Sequence, residues 1–386
     1  MSASSASIKP LPMRFSPKSM TANIRKSTLL SCASILAAST FLGVLVSSCE
    51  DTGGGEVNFD RQSMLSAYAD ELIVPGYEAY VSELSDLDEA WNSFQSSQDA
   101  GNLNNLQVAL TDAWLQWQPL AFWNFGPATD LALLPRTNTF PSDTSLIQSW
   151  LAAGSWNLEI AASLDGRGFP ALDYLLWSGG ADAVLANAAD ATWQSLVSDL
   201  IAGLKTDAIT VRDAWNSGYR DTFVAADGTD VGSSAGLIIN AGNQYLEVHL
   251  RDGKIGIPLG VRSLGIPLPE KSEGFYSGQS MKLAQAGLEG FREWFDGAGS
   301  DLLDYIDATG ATFDGAPLRQ EISSRIENSQ SLMTALQGES LPNLIENQTE
   351  DVDELYQNLQ GLVIVSKVDV PSALGILITY QDNDGD

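Results

Sequence analysis

The chain has 386 residues, 44% of them hydrophobic, which is long enough for two or three domains and supplies a sizeable core. Its 20 basic residues face 49 acidic ones, a formal net charge of −29. That balance argues against nucleic acid as a partner, because duplex binding depends on Lys and Arg neutralising phosphates.

Residues 1–48 read as a leader. Lys9, Arg14, Lys18, Arg25 and Lys26 precede the first acidic residue, Glu50, and an apolar run with small residues covers 29–46. The run ends at Val46-Ser47-Ser48-Cys49, which resembles the lipobox of bacterial lipoproteins. Cleavage there would leave Cys49 at the new N-terminus, free to take lipid, and would anchor the protein in the cell envelope at the outer membrane. The competing reading is an uncleaved anchor, since such a run just spans a thin bilayer. Met20 as the start would give a leader of ordinary length. With Cys32 in the leader and Cys49 lipidated, no cysteine pair remains for a disulfide or a thiolate metal site. Residues 49–57, rich in glycine and acid, read as a flexible tether.

The folded part is expected from residue 58, as an N-terminal helical bundle over 58–185 and a C-terminal one over 186–386. Asp60 suits an N-cap, and Met64, Tyr68 and Leu72 recur at helical spacing before a kink or break at Pro75-Gly76. A second helix is expected over 77–94. Leu103, Leu106, Leu110, Trp114 and Trp117 then mark a helix over 102–122, stopped at Asn124-Phe125-Gly126-Pro127. Residues 130–145 read as loop, followed by a short helix from Leu146.

The stretch Gly166-Arg167-Gly168-Phe169-Pro170-Ala171-Leu172-Asp173-Tyr174-Leu175-Leu176-Trp177 has the form of a helix entrance. Pro170 suits a first turn, and a carboxylate at Asp173 near that turn suits the positive end of the helix dipole. After a break at Gly179-Gly180, the series Trp193, Val197, Leu200, Leu204, Ala208, Val211 and Trp215 predicts a long amphipathic helix. Helix is expected over 235–250, an extended loop over 252–269, and three more helices over 281–295, 322–336 and 352–359. The β-branched run 362–370 leaves a strand open as an alternative to a last helix opening at Asp369-Val370-Pro371 and reaching Tyr380. The fold class is all-α, with two packed helical bundles.

The central stretch resembles the signature of the imelysin family, whose usual motif is Gly-x-His-x-x-Glu, often followed by Tyr-Leu-Leu-Trp. Here the histidine position holds Pro170 and the glutamate position Asp173, with Tyr174-Leu175-Leu176-Trp177 following. Two later stretches, 249–260 and 273–280, are similar to the family's second half. The resemblance implies two related bundles with the functional site between them, a role in iron acquisition, and a peptidase activity claimed for some members.

The residues narrow this chemistry. His249 is the only histidine in the chain, so a zincin motif and any two-His zinc site are excluded. No nucleotide-binding loop is present. Pro170 has no lone pair to offer a metal, which weakens or removes metal binding at the motif. Asp173 and Pro170 remain the centre of a candidate ligand site. His249, Arg251 and Lys254 are its cationic or hydrogen-bonding candidates, with Glu273 and Tyr276 from the later motif and Trp117 and Asn124 beside a loop. Arg251 and Lys254 either pair with acids or hold an anionic ligand. The leading expectation is non-enzymatic binding of a small or anionic, iron-related ligand; a degenerate metal-dependent peptidase and a glycan-binding lipoprotein are the alternatives. The tail 382–386 reads as a solvated acidic segment, with weak divalent-cation binding as the alternative.

Overall fold

Asp60 opens the first helix: its carboxylate accepts the Ser63 N–H at 3.0 Å and caps α1 (Arg61–Ala67). This is the start of the computed structural model, which describes residues 57–380; the leader, Cys49, the tether up to Glu56 and the acidic tail 382–386 lie outside the described residues. Where the sequence suggested a kink or a break, helical winding continues with a change of type. Tyr68–Ile73 is a π-helical turn, and α2 (Val74–Ser96) follows it directly. Pro75 has no N–H to donate back into this continuous winding, and it stands just past the π-helical turn, so Pro75-Gly76 marks a change of winding.

Asp99 caps α3 (Ala100–Leu120) by accepting the Asn102 N–H at 2.9 Å. Leu103, Leu106, Leu110, Trp114 and Trp117 are buried on the face their spacing predicts. The expected loop 130–145 instead holds two short helices, Leu133–Asn138 and the start of Thr144–Ala153. Pro135 falls in the first turn of the former, where proline is tolerated.

The central motif forms α4 (Gly168–Trp177), and the long amphipathic pattern forms α5 (Ala191–Ala214), which packs on α2. Beyond α6 (Ser234–Gln244) the first part of the expected extended loop, up to Leu259, is helical, and 260–268 is turn and irregular chain as expected. Tyr245–Gly256 is a long π-helix, and Ile257–Leu259 continues it until Gly260, at φ +100°, ends the winding. A wider helix of this kind turns its residues by less than the usual 100° each and changes which of them share a face.

Helix α7 (Ser280–Asp296) also packs on α3. The approach is close because Gly290 has no Cβ; one built there would stand 2.6 Å from Pro119 Cα. A two-stranded antiparallel hairpin, Thr312–Phe313 with Ala316–Pro317, turns at Asp314-Gly315, both at positive φ. Helices Leu302–Thr309, α8 (Leu318–Ala335), Leu341–Asn347 and α9 (Thr349–Ile364) follow in the second half. The β-branched run 362–370 is helical: a π-helical turn at Val365–Asp369 leads to Val370–Leu374. Leu362, Val363, Val365 and Val370 are buried, so packing overrides their strand propensity. The chain leaves the helix at Gly375, φ +65°, well before Tyr380.

Candidate functional site

The motif helix begins two residues earlier than proline suggested. Gly168, at φ +75°, is its first residue, and a Cβ there would lie 2.1 Å from the carbonyl oxygen of Thr137. Glycine is therefore required twice over, by backbone conformation and by the neighbouring chain. Pro170 is buried within the first turn. Asp173 consequently lies beyond the first turn, and it does not cap its own helix.

Asp173 holds a loop from elsewhere in the chain. Its two carboxylate oxygens accept the Tyr276 N–H at 3.0 Å and the Ser277 N–H at 2.9 Å. The loop spans 273–278 and turns through Gly274 and Gly278, both at positive φ. Tyr276 also packs its ring on Tyr174 at 5.1 Å. Asp173 is 2% exposed, and burial pushes its carboxyl up to about 6 against the pull of those hydrogen bonds. The nearby Glu273 carboxylate adds to the upward push.

The same loop delivers Glu273 into the protein interior. Its carboxylate pairs with the Lys254 ammonium and accepts hydrogen bonds from Gln118 at 3.0 Å and Asn138 at 2.7 Å. Lys254 donates to the Gln118 side-chain oxygen at 2.8 Å, and Tyr245 donates to that oxygen at 3.2 Å. Trp114 donates to the Asn138 side-chain oxygen at 2.9 Å. All six residues are buried. Burial pushes the Lys254 ammonium below its ordinary value, partly offset by Glu273. The network joins α3, the 133–138 helix, the π-helix and the 273–278 loop through charge-assisted bonds that leave no buried partner unmatched.

Next to this network lies a cavity of about 590 Å³ between the segment 134–141 and residues 248–257. Asn138 lines it from the network side, and Phe140 separates it from Lys254, whose Nζ is 5.6 Å from the ring centroid. His249 lines it from the π-helix, with its ring stacked on Tyr245 at 5.3 Å. The imidazole makes no hydrogen bond to any described residue. Burial and the nearby Lys254 charge hold it at about 4, so it is neutral near pH 7.

The remaining candidates sit apart from this cavity. Arg251 is buried on another side of the π-helix, bonded to Asp252 at 2.9 Å and to Gln360, with Glu247 at 3.7 Å. It pairs with acids and does not reach Asp173. Trp117 is a core residue packed on Tyr80 at 5.7 Å. Asn124 accepts a bond from Thr129 through its backbone oxygen. Lys254 and Glu273 meet each other, Asp173 and Tyr276 share a loop contact, and His249 faces the cavity.

Gln118, Asn138 and Lys271 belong to this region beyond the residues expected from the sequence, and Trp114, a core position by its spacing, belongs to it as a hydrogen-bond donor. Gln118 did carry a signal, as a polar residue four positions after Trp114 on the buried face of α3. Asn138 carried none, because its segment read as loop.

The donor set at the motif does not fit a metal ion. Pro170 offers no ligand atom, and both Asp173 oxygens are occupied by backbone N–H groups. Among the described residues no three His, Cys, Asp or Glu side chains converge in a way that could hold a metal.

The family described as imelysin matches residues 73–365. An imelysin-like protein from Psychrobacter arcticum 273-4 has a similar structure, with TM-score 0.65 and 18% identity over 83% of this chain and 97% of that one. A protein named as an iron-regulated protein A precursor, from Parabacteroides distasonis ATCC 8503, aligns with TM-score 0.66 and 16% identity over 81% of this chain and 95% of that one. At these identities the likeness is one of fold. No curated protein matches the sequence.

Proposed function

Because this chain belongs to the imelysin family, we propose that it is a ligand-binding member of that family, anchored in the cell envelope, and that its ligand occupies the cavity beside His249. The observation that carries this reading is an imidazole with no hydrogen-bond partner facing a cavity of about 590 Å³. Ligand sites are commonly concave and apolar with a few placed polar groups. The buried Lys254–Glu273 network gives the cavity a rigid back wall, and the Asp173 clamp holds the loop that supplies Glu273.

The motif's chemistry favours binding over peptide hydrolysis. A catalytic metal needs several fixed donors and an open position. Pro170 and the occupied Asp173 supply neither. The test is hydrolysis of a mixed peptide library by purified protein, with and without chelator. No chelator-sensitive cleavage is expected. Such cleavage, abolished in Asp173→Ala, would establish the peptidase instead.

The lipobox-like segment at Cys49 supports a lipid anchor at the outer membrane, and the likeness to an iron-regulated protein supports a place in iron acquisition. Fractionating cells grown with and without iron tests both. The protein is expected in the membrane fraction, to leave it in Cys49→Ala, and to rise in amount when iron is withheld. A soluble native protein would remove the anchor, and an amount indifferent to iron would remove the link to iron.

A further inference from the structure

We propose that the cavity beside His249 binds a small organic carboxylate with an apolar body, its head group received by Lys271 and His249. This rests on the reading of that cavity as the ligand site. The walls are mainly apolar, with Leu134, Phe140, Val248 and Ile257 among them, and they favour a hydrocarbon or aromatic body.

The charges choose the head group. Lys271 lines the same cavity, is partly exposed, and has no ion pair among the described residues. In a chain with 49 acidic and 20 basic residues, an uncommitted ammonium beside a cavity is unusual. No Asp or Glu lines the cavity, so a cationic ligand would find no counter-charge there. Glu273 stands behind Asn138 and is already matched by Lys254.

His249 supplies direction. A neutral imidazole always carries one N–H donor, and neither ring nitrogen is engaged. One ammonium and one N–H suit a single carboxylate. A phosphate or other polyanion would need more donors and would be opposed by the net charge of −29.

The experiment uses the chain's single histidine, whose ring signals in a nuclear magnetic resonance spectrum need no further assignment. Octanoate, phenylacetate, octanol and octylamine are titrated at pH 7 into the purified protein and into Lys271→Met. At least one acid is expected to shift the His249 signals saturably and to raise the pH at which the ring titrates. Lys271→Met is expected to weaken that acid tenfold or more and to leave octanol unchanged. The two acids distinguish an aliphatic from an aromatic body. Octanol or octylamine binding as tightly as the acids, or acid binding indifferent to Lys271→Met, would overturn the carboxylate while leaving the cavity as a ligand site. If none of the four moves the His249 signals, the carboxylate and the cavity reading fall together.

Discussion

Glu273→Gln is expected to destabilise the protein by about 3–5 kcal/mol, the loss typical of removing one member of a buried ion pair. The substitution keeps the shape of the side chain and removes only its charge. Lys254 is then left as a buried ammonium whose remaining hydrogen-bond partner is the neutral Gln118 oxygen. Lys254→Met should cost a similar amount from the other side, because the Glu273 carboxylate would keep only Gln118 and Asn138 as donors. The double variant should recover much of either loss, since neither charge remains to be desolvated. Urea unfolding of the four proteins measures this. Strictly additive losses would show that the two side chains act independently and that the network does not hold the 273–278 loop.

Asp173 and His249 should give stability profiles of opposite sign in acid. Asp173 is raised from 3.8 to about 6 in the folded protein, so between those values the folded state holds its proton more readily. Acidification through that window therefore favours folding, by about 3 kcal/mol in total. His249 is lowered from 6.5 to about 4, so there the unfolded state takes the proton more readily. Acidification from 6.5 to 4 therefore costs stability, by no more than about 3 kcal/mol. The two contributions nearly cancel in the unmodified protein, and single variants expose them. Relative to it, Asp173→Asn should lose stability as pH falls from 7 to 4, and His249→Gln should gain. The Asn side chain also leaves one loop N–H poorly matched, but that offset does not depend on pH. Asp301, raised likewise to about 6 by burial, titrates in all three proteins and drops out of the differences. Parallel profiles for all three would show that neither group is held as its burial implies.

Much of the fold was legible because helical periodicity is a local property. The buried faces of α3, α5 and α7 follow from the spacing of apolar residues, and the cap at Asp60 is set by one side chain and one N–H three residues on. The errors lie where proline or β-branching was read without its neighbours. Pro135 occupies an early helical position, where the ring is harmless, and Pro75 and Pro258 each stand just past a π-helical segment whose winding runs on through them, so helix stands where a kink, a break or a loop was expected. The run 362–370 has the side chains of a strand, yet burial of Leu362, Val363 and Val365 against the core winds it as helix. The Asp314-Gly315 hairpin is a local turn signal too, but its strands are two residues long, too short to show alternation between helices.

The sequence by itself determined the all-α class, the family frame around Gly168 and Asp173, and the absence of a two-histidine metal motif. Each depends on residue type and spacing within a few turns. Tertiary structure alone decided what those residues do. Asp173 meets Tyr276 and Ser277 from more than a hundred positions away, Glu273 meets Gln118 and Asn138 across similar distances, and Arg251 turns away from both. Nothing local distinguishes Lys254, buried and paired, from Lys271, open to the cavity and unpaired. That difference comes from the winding of the π-helix and the course of the loop after it, which decide which cation reaches a carboxylate and which is left without one.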